Sequence, residues 1–260
     1  MQSTSIAWLA PLLVLAACGG GSGDDAPPDL HGVWYAVDPT DASKYAYPQL
    51  ITQNGREVTL TSCHRSTTPL RLDGANLVHP DGTRFVLQPD ASGTVMTGTG
   101  GAGAQWRRFS QGSVFESGRL SLNTPNQPAV QASQDVCAQK GEQRYKLDNG
   151  AEIHATGVMI TAPLGASYVE VVLAFQTLRA GDFAVRDRNG FVQNLDSAVH
   201  VQLSSMAFLT ASSPASLQIS GGQLRVGTTA SGAYTFDGQL VTNTGLQVPL
   251  SAEVILDRRP

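Results

Sequence analysis

The sequence predicts an all-β protein of two antiparallel domains, a meander followed by a β-sandwich. Short runs of alternating polarity recur along most of the chain, as in Arg56-Glu57-Val58-Thr59-Leu60. Two-residue turn signals separate such runs, among them Asn54-Gly55, Asp73-Gly74 and Asp237-Gly238. Charged residues make up 15% of the chain and hydrophobic ones 41%, which leaves enough apolar surface for a core and argues against disorder.

The chain opens on an apolar run, Ile6 to Ala17, broken only by Pro11. Crossing the hydrocarbon core as a helix takes about 20 apolar residues, so this shorter run reads as the apolar part of an export signal over residues 1–17. Small residues, Ala16 and Ala17, stand in front of Cys18, as a signal-cleaving peptidase requires. Residues 18–29 follow with Gly19-Gly20-Gly21-Ser22-Gly23 and then Asp and Pro, the composition of a flexible tether.

Leu15-Ala16-Ala17-Cys18 resembles the lipobox of bacterial lipoproteins. The resemblance implies that the signal is removed, that the thiol of Cys18 carries acyl chains such as palmitate, and that the chain works within reach of a bilayer. Each buried methylene contributes about 0.8 kcal/mol, and two or three chains together make attachment effectively permanent. A residue other than Asp after the cysteine, here Gly19, implies an outer-membrane address facing the periplasm. Met1 to Ser5 carries no Lys or Arg, unlike the charged opening usual for export signals.

The body begins near Leu30. A type I′ loop at Asn54-Gly55 would set Ile51 opposite Val58, and one at Asp73-Gly74 would set Leu72 opposite Ala75 and Leu70 opposite Leu77. Pro80-Asp81-Gly82 turns into Thr83 to Leu87, and the glycine-rich Gly98 to Gly103 leads into Gln105-Trp106-Arg107-Arg108-Phe109. Hairpin following hairpin makes an antiparallel meander over residues 30–147. One short helix is expected at Pro128 to Gln139, where Ala129, Val130, Ala132 and Val136 fall at helical spacing.

Gly32-Val33-Trp34 resembles the Gly-x-Trp opening of lipocalin-like small barrels, in which the tryptophan packs across the closed end. A plain strand with a core tryptophan accounts for the same three residues. The resemblance implies that residues 30–147 form a lipocalin-like, partly closed barrel that encloses a small apolar ligand, with Trp34, Phe85 and Trp106 as the ligand-binding side chains.

Residues 148–260 form the second domain, opening at Asp148-Asn149-Gly150. Val169, Val171, Leu173 and Phe175 share one face of a strand. Gly221-Gly222 and Asp237-Gly238 read as hairpin turns, the first pairing Ile219 with Leu224 and Leu217 with Val226. The last strand alternates from Leu246 to Leu256, and Pro249, with no amide hydrogen, places it at a sheet edge. Roughly seven or eight short strands in about 110 residues make a sandwich, immunoglobulin-like in outline.

With Cys18 acylated, Cys63 and Cys137 remain as an even pair in an exported chain, the arithmetic of a disulfide. Closing that loop stabilises the fold by about 4 kcal/mol on the chain-entropy model. No zinc spacing surrounds Cys63-His64, and His31, His64, His79, His154 and His200 are scattered singly, expected at solvent-facing strand or turn positions. No nucleophile elbow, metalloprotease pair, Walker loop or Ser-x-x-Lys is present, so no catalytic residue and no cofactor is assigned. Asp182, Asp187 and Asp196 read as a charged turn. Arg107-Arg108 beside Trp106 offers a minor anion or sugar site. A net charge of −4 carries no basic field for nucleic acid.

Three functions stay open: a non-catalytic, membrane-anchored interaction module for an envelope protein partner; a carrier of a small apolar ligand inside the first domain; and, on location alone, a hydrolase of cell-wall or carbohydrate material.

Overall fold

The computed structural model describes residues 28–37, 47–90, 93–98, 105–125, 128–147, 149–205 and 218–256. The apolar run, the Leu15–Cys18 tetrapeptide and residues 99–104 of the glycine-rich segment lie outside them. Alternating polarity and tight turns here produce two sheets. Strands β1 (Gly32–Val37), β2 (Tyr47–Asn54), β3 (Glu57–Ser62), β4 (Thr67–Asp73), β5 (Asn76–Val78), β6 (Arg84–Asp90), β7 (Gly93–Gly98) and β8 (Gln105–Ser110) follow one another around a closed barrel. Each pairs antiparallel with the next, and β8 returns to β1.

Both predicted hairpins form, displaced in register by two residues. Ile51 lies opposite Leu60 rather than Val58, and Leu72 opposite Leu77 rather than Ala75. The glycine is the first loop residue instead of the second, with φ of +61° at Gly55 and +58° at Gly74, the position that a type II′ loop gives to glycine. Because the slip is two residues, every side chain keeps its face. Trp34, Ile51, Val58, Leu70, Leu72 and Leu77 are buried together inside.

The second sheet has ten strands: β9 (Gly118–Leu122), β10 (Val130–Ala132), β11 (Cys137–Lys146), β12 (Glu152–Leu164), β13 (Ser167–Phe175), β14 (Gly181–Arg186), β15 (Ala198–Ser205), β16 (Ile219–Thr228), β17 (Tyr234–Thr242) and β18 (Gln247–Val254). Their order is β10-β9-β18-β17-β16-β14-β15-β13-β12-β11. The sheet coils until its ends meet: Glu116 bridges Val136, and the Ser117 amide donates to the Val136 carbonyl at 2.8 Å. Its two halves thus cover opposite sides of one core, to which Leu120, Ile160, Leu173, Phe183, Phe236 and Leu250 all contribute. β14 and β15 are parallel, joined through a short helix, α1 (Arg188–Gln193).

The sequence reading is corrected at five places. The seam between the units falls between Ser110 and Gly118, not at residue 147, because Leu120, Leu122, Val130, Val136 and Ala138 face the second core; Asn149-Gly150 is only the turn joining β11 to β12. The helix expected at 128–139 is β10 and the start of β11, with Asp135 at φ +56° interrupting any helical path. Gly221-Gly222 lies within β16 as a bulge, not a turn. Gly222 has φ +121°, and a Cβ there would sit 2.1 Å from the Gln239 carbonyl, so close strand approach rather than chain reversal selects glycine. Asp237-Gly238 is likewise interior to β17.

Pro249 is the fifth, since β18 pairs on both sides, with β17 and β9. The Pro249 carbonyl accepts from Asn123, just past the end of β9. In an antiparallel strand the nitrogen of a residue faces the same side as its carbonyl, so the missing donor falls where β9 has already ended. Leu246 stands outside β18 and is exposed.

A clamp joins the two units. Val33, Tyr35 and Leu50 on the outer wall of the barrel pack against Phe115, Cys137 and Met159. Cys63, just after β3, is disulfide-bonded to Cys137 at the start of β11, with Cα atoms 5.5 Å apart, within the usual range. Beside it Arg65 donates to Asp135 Oδ2 at 2.8 Å and to its carbonyl at 2.6 Å, and the guanidinium lies 5.2 Å from the centre of the Phe115 ring. His64 Nδ1 is 2.8 Å from Glu170 Oε2.

Candidate functional site

Antiparallel order puts the β2–β3 and β4–β5 turns at one end of the barrel, with Leu30, and the β3–β4 and β5–β6 connections at the other. The first end is closed. Trp34 is fully buried there, its indole N–H donating to the Leu30 carbonyl at 2.8 Å. The Arg108 guanidinium stacks 5.2 Å from the centre of its ring and also donates to the Asp29 carbonyl. Gln53 ties down the incoming chain, accepting from the Leu30 amide at 2.7 Å and donating to the Pro28 carbonyl at 3.0 Å.

Toward the other end the barrel is hollow. Leu60, Thr68, Leu70, Leu77, His79, Phe85 and Trp106 line a cavity of about 210 Å³. Period-2 alternation puts them there: Leu60 is the cross-strand partner of Thr68, and Leu77 that of Phe85. Phe85 and Trp106 face each other with ring centres 5.9 Å apart. A dry apolar cavity of about 150 Å³ is enough to take up benzene, while sites for drug-sized ligands start at about 300 Å³. The space therefore suits a single ring or a short chain. Thr68 and His79 line it near the mouth, beside the β3–β4 and β5–β6 connections, and the wall itself is almost wholly apolar.

Two of the three predicted ligand-binding residues, Phe85 and Trp106, line this cavity. Trp34 shares their core but lies beneath it, saturated by Leu30 and Arg108, and is corrected to a structural role. Arg108 is committed to Trp34 rather than offered to an anion beside Trp106. Leu60, Leu70 and Leu77 were legible as inward-facing positions of the hairpins; His79 was not, because it lies in a turn where no alternation marks its direction.

Several of the other polar groups have local partners. His200 is buried rather than solvent-facing, with Nδ1 2.9 Å from the Tyr145 hydroxyl. Burial holds the His200 imidazole below its usual range, and burial pushes the Tyr145 phenol up to about 12. Asp187 caps α1 by accepting from the Gly190 amide at 2.7 Å, and Asp182 pairs with Arg225 at 2.9 Å. His154 pairs with Glu142. Among the described residues no cluster of three or more His, Cys, Asp or Glu is placed to hold a metal, and no helix is long and apolar enough to cross a membrane.

Comparison with family models, curated proteins and solved structures finds no match to this chain.

Proposed function

We propose that the protein is a non-catalytic binding module, tethered to an outer membrane through acyl chains on Cys18, whose barrel mouth holds a small apolar molecule. The observation that carries the reading is the hollow between Leu60, Leu70, Leu77, Phe85 and Trp106, since close packing fills most protein interiors and here fills only the far end of the same barrel. The lipobox-like Leu15-Ala16-Ala17-Cys18 supports the tether, and the Cys63–Cys137 disulfide suits an exported chain. The chain enters the barrel at its closed end, strapped by Gln53 and Arg108, so the mouth lies at the end away from the attachment. An envelope protein partner has less to hold: among the described residues the exposed large apolar side chains are Phe109, in β8, and Leu246, just before β18.

Toluene tests the reading. A ligand that binds only the folded state raises the unfolding temperature by mass action, and a seven-atom hydrocarbon in this space should bind with a dissociation constant on the order of 0.1–1 mM. Millimolar toluene should raise the midpoint of the wild-type protein and leave that of Thr68→Phe, which plugs the mouth, unmoved. An equal response of the two proteins, or none in the wild type, counts against the proposal.

A further inference from the structure

β11 ends the second sheet, paired with β12 alone. Hydrogen bonds near its two ends fix which of its backbone groups face away from β12. The Leu147 amide donates to the Ala151 carbonyl at 2.8 Å, across the turn into β12, and the register runs from Lys146 back to Cys137 without a slip. Backbone direction alternates along an antiparallel strand. The odd-numbered residues therefore bond to β12, and the even-numbered ones face out. Both ends agree: the Val136 carbonyl accepts from Ser117 at 2.8 Å, and the Lys146 carbonyl accepts from Arg188 at 2.6 Å. Between them the outward amides and carbonyls of Lys140, Glu142 and Arg144 have no partner among the described residues. A Cβ added to Gly141 would meet nothing within 4 Å among those residues, so the middle of this edge is open.

We propose that β11 is a self-association edge: two copies of this chain pair antiparallel along it about a two-fold axis at Gly141, setting Lys140 of each opposite the partner's Glu142. An open edge is a template for another strand, and charges on it restrict what can pair there. Outward-facing residues must meet outward-facing ones, which leaves a few registers two residues apart. With the axis at Gly141, each pair of Lys140 and Glu142 exchanges both of its backbone hydrogen bonds and sets opposite charges side by side. Arg144 then meets the uncharged Ala138. An axis at Lys140 or at Glu142 would set that residue against its own copy, and one at Gln143 would set Lys140 against Lys146. Within one chain Glu142 already pairs with Arg144 and His154, while Lys140 has no ion pair among the described residues. The edge is thus complementary in charge to itself in one register, which singles out a second copy among extended chains.

Sedimentation of the full-length chain in detergent, over a concentration series, tests this. A single pair of edge strands holds weakly, with a dissociation constant on the order of 0.1 mM, so the series extends to several times that concentration. Lys140→Glu places like charges opposite each other at both pairs and should weaken the dimer about thirtyfold, with the thermal midpoint of the chain unmoved. Glu142→Lys should weaken it similarly. Mixed together, the two variants should associate about as tightly as the wild type, because each supplies the charge the other lacks. Mild oxidation should join Gln139→Cys to Gln143→Cys, which face each other across the axis, and neither variant to itself. A wild type that stays monomeric throughout the series, or a Lys140→Glu variant that dimerises unimpaired, overturns the proposal. Single variants that fail to combine, or Gln139→Cys cross-linking to itself as readily as to Gln143→Cys, overturn the register and with it the choice of a second copy.

Discussion

Removing the disulfide should cost this fold more than almost any other single change. Cys63 and Cys137 are 74 residues apart in sequence, and a closed loop of that length restricts the unfolded chain by about 4 kcal/mol on the chain-entropy model. The bond also joins the barrel to the second sheet, at a contact where both sulfur-bearing side chains are buried with Val33, Tyr35, Leu50 and Phe115. A Cys63→Ala, Cys137→Ala double variant therefore lowers the folded-to-unfolded ratio by about three orders of magnitude. With a urea slope on the order of 3 kcal/mol per molar, the midpoint should fall by about 1.3 M. Urea unfolding followed by circular dichroism reads this directly, and wild-type protein with a reducing agent added should follow the double variant. A midpoint shift below about 0.3 M would mean that the bond restricts the unfolded chain far less than its loop length implies, and would refute the entropic argument.

Trp34→Phe should lower stability by about 2 kcal/mol, from the lost indole bond to Leu30 and the thinner contact under Arg108, yet leave toluene affinity unchanged because Trp34 lies beneath the cavity; thermal unfolding and calorimetry separate the two effects. His200 gives a pH dependence of known sign. Its folded pKa is depressed, so below the ordinary value of 6.5 the unfolded chain binds the proton first, and stability present at neutral pH is lost as the pH falls through the folded pKa. Chemical unfolding at pH 7.5 and 5.0 should show this loss in the wild type and less of it in His200→Gln. Growth with a fatty-acid probe should label the wild-type protein and not Cys18→Ser; an unlabelled wild type removes the tether.

Much of the fold was legible because period 2 and turn chemistry agree. Val169, Val171, Leu173 and Phe175 are all buried on one face, as their alternation indicated. Turn dipeptides were less informative about register. Asn54-Gly55 and Asp73-Gly74 mark the right turns, but the same glycine serves either loop position, and only pairing beyond the loop chooses between them. Gly221-Gly222 and Asp237-Gly238 failed for another reason: glycine there relieves backbone crowding between paired strands, and a sequence shows no crowding. The seam between the units was hidden because both are sheets, so nothing changes in periodicity where β9 leaves the barrel for the second core. At the site, Phe85 and Trp106 were found by being large, apolar and on inward-facing strand positions. His79 lies in a turn, where no strand pattern marks which way a residue faces.

Fluorine spectroscopy of protein labelled with 5-fluorotryptophan tests occupation of the barrel mouth most directly, with Trp106→Phe assigning the resonance. Titrated toluene should shift the Trp106 signal along a saturable curve and leave that of Trp34, sealed at the closed end, in place. A Trp106 signal that stays fixed, or drifts in proportion to toluene without saturating, would contradict the account.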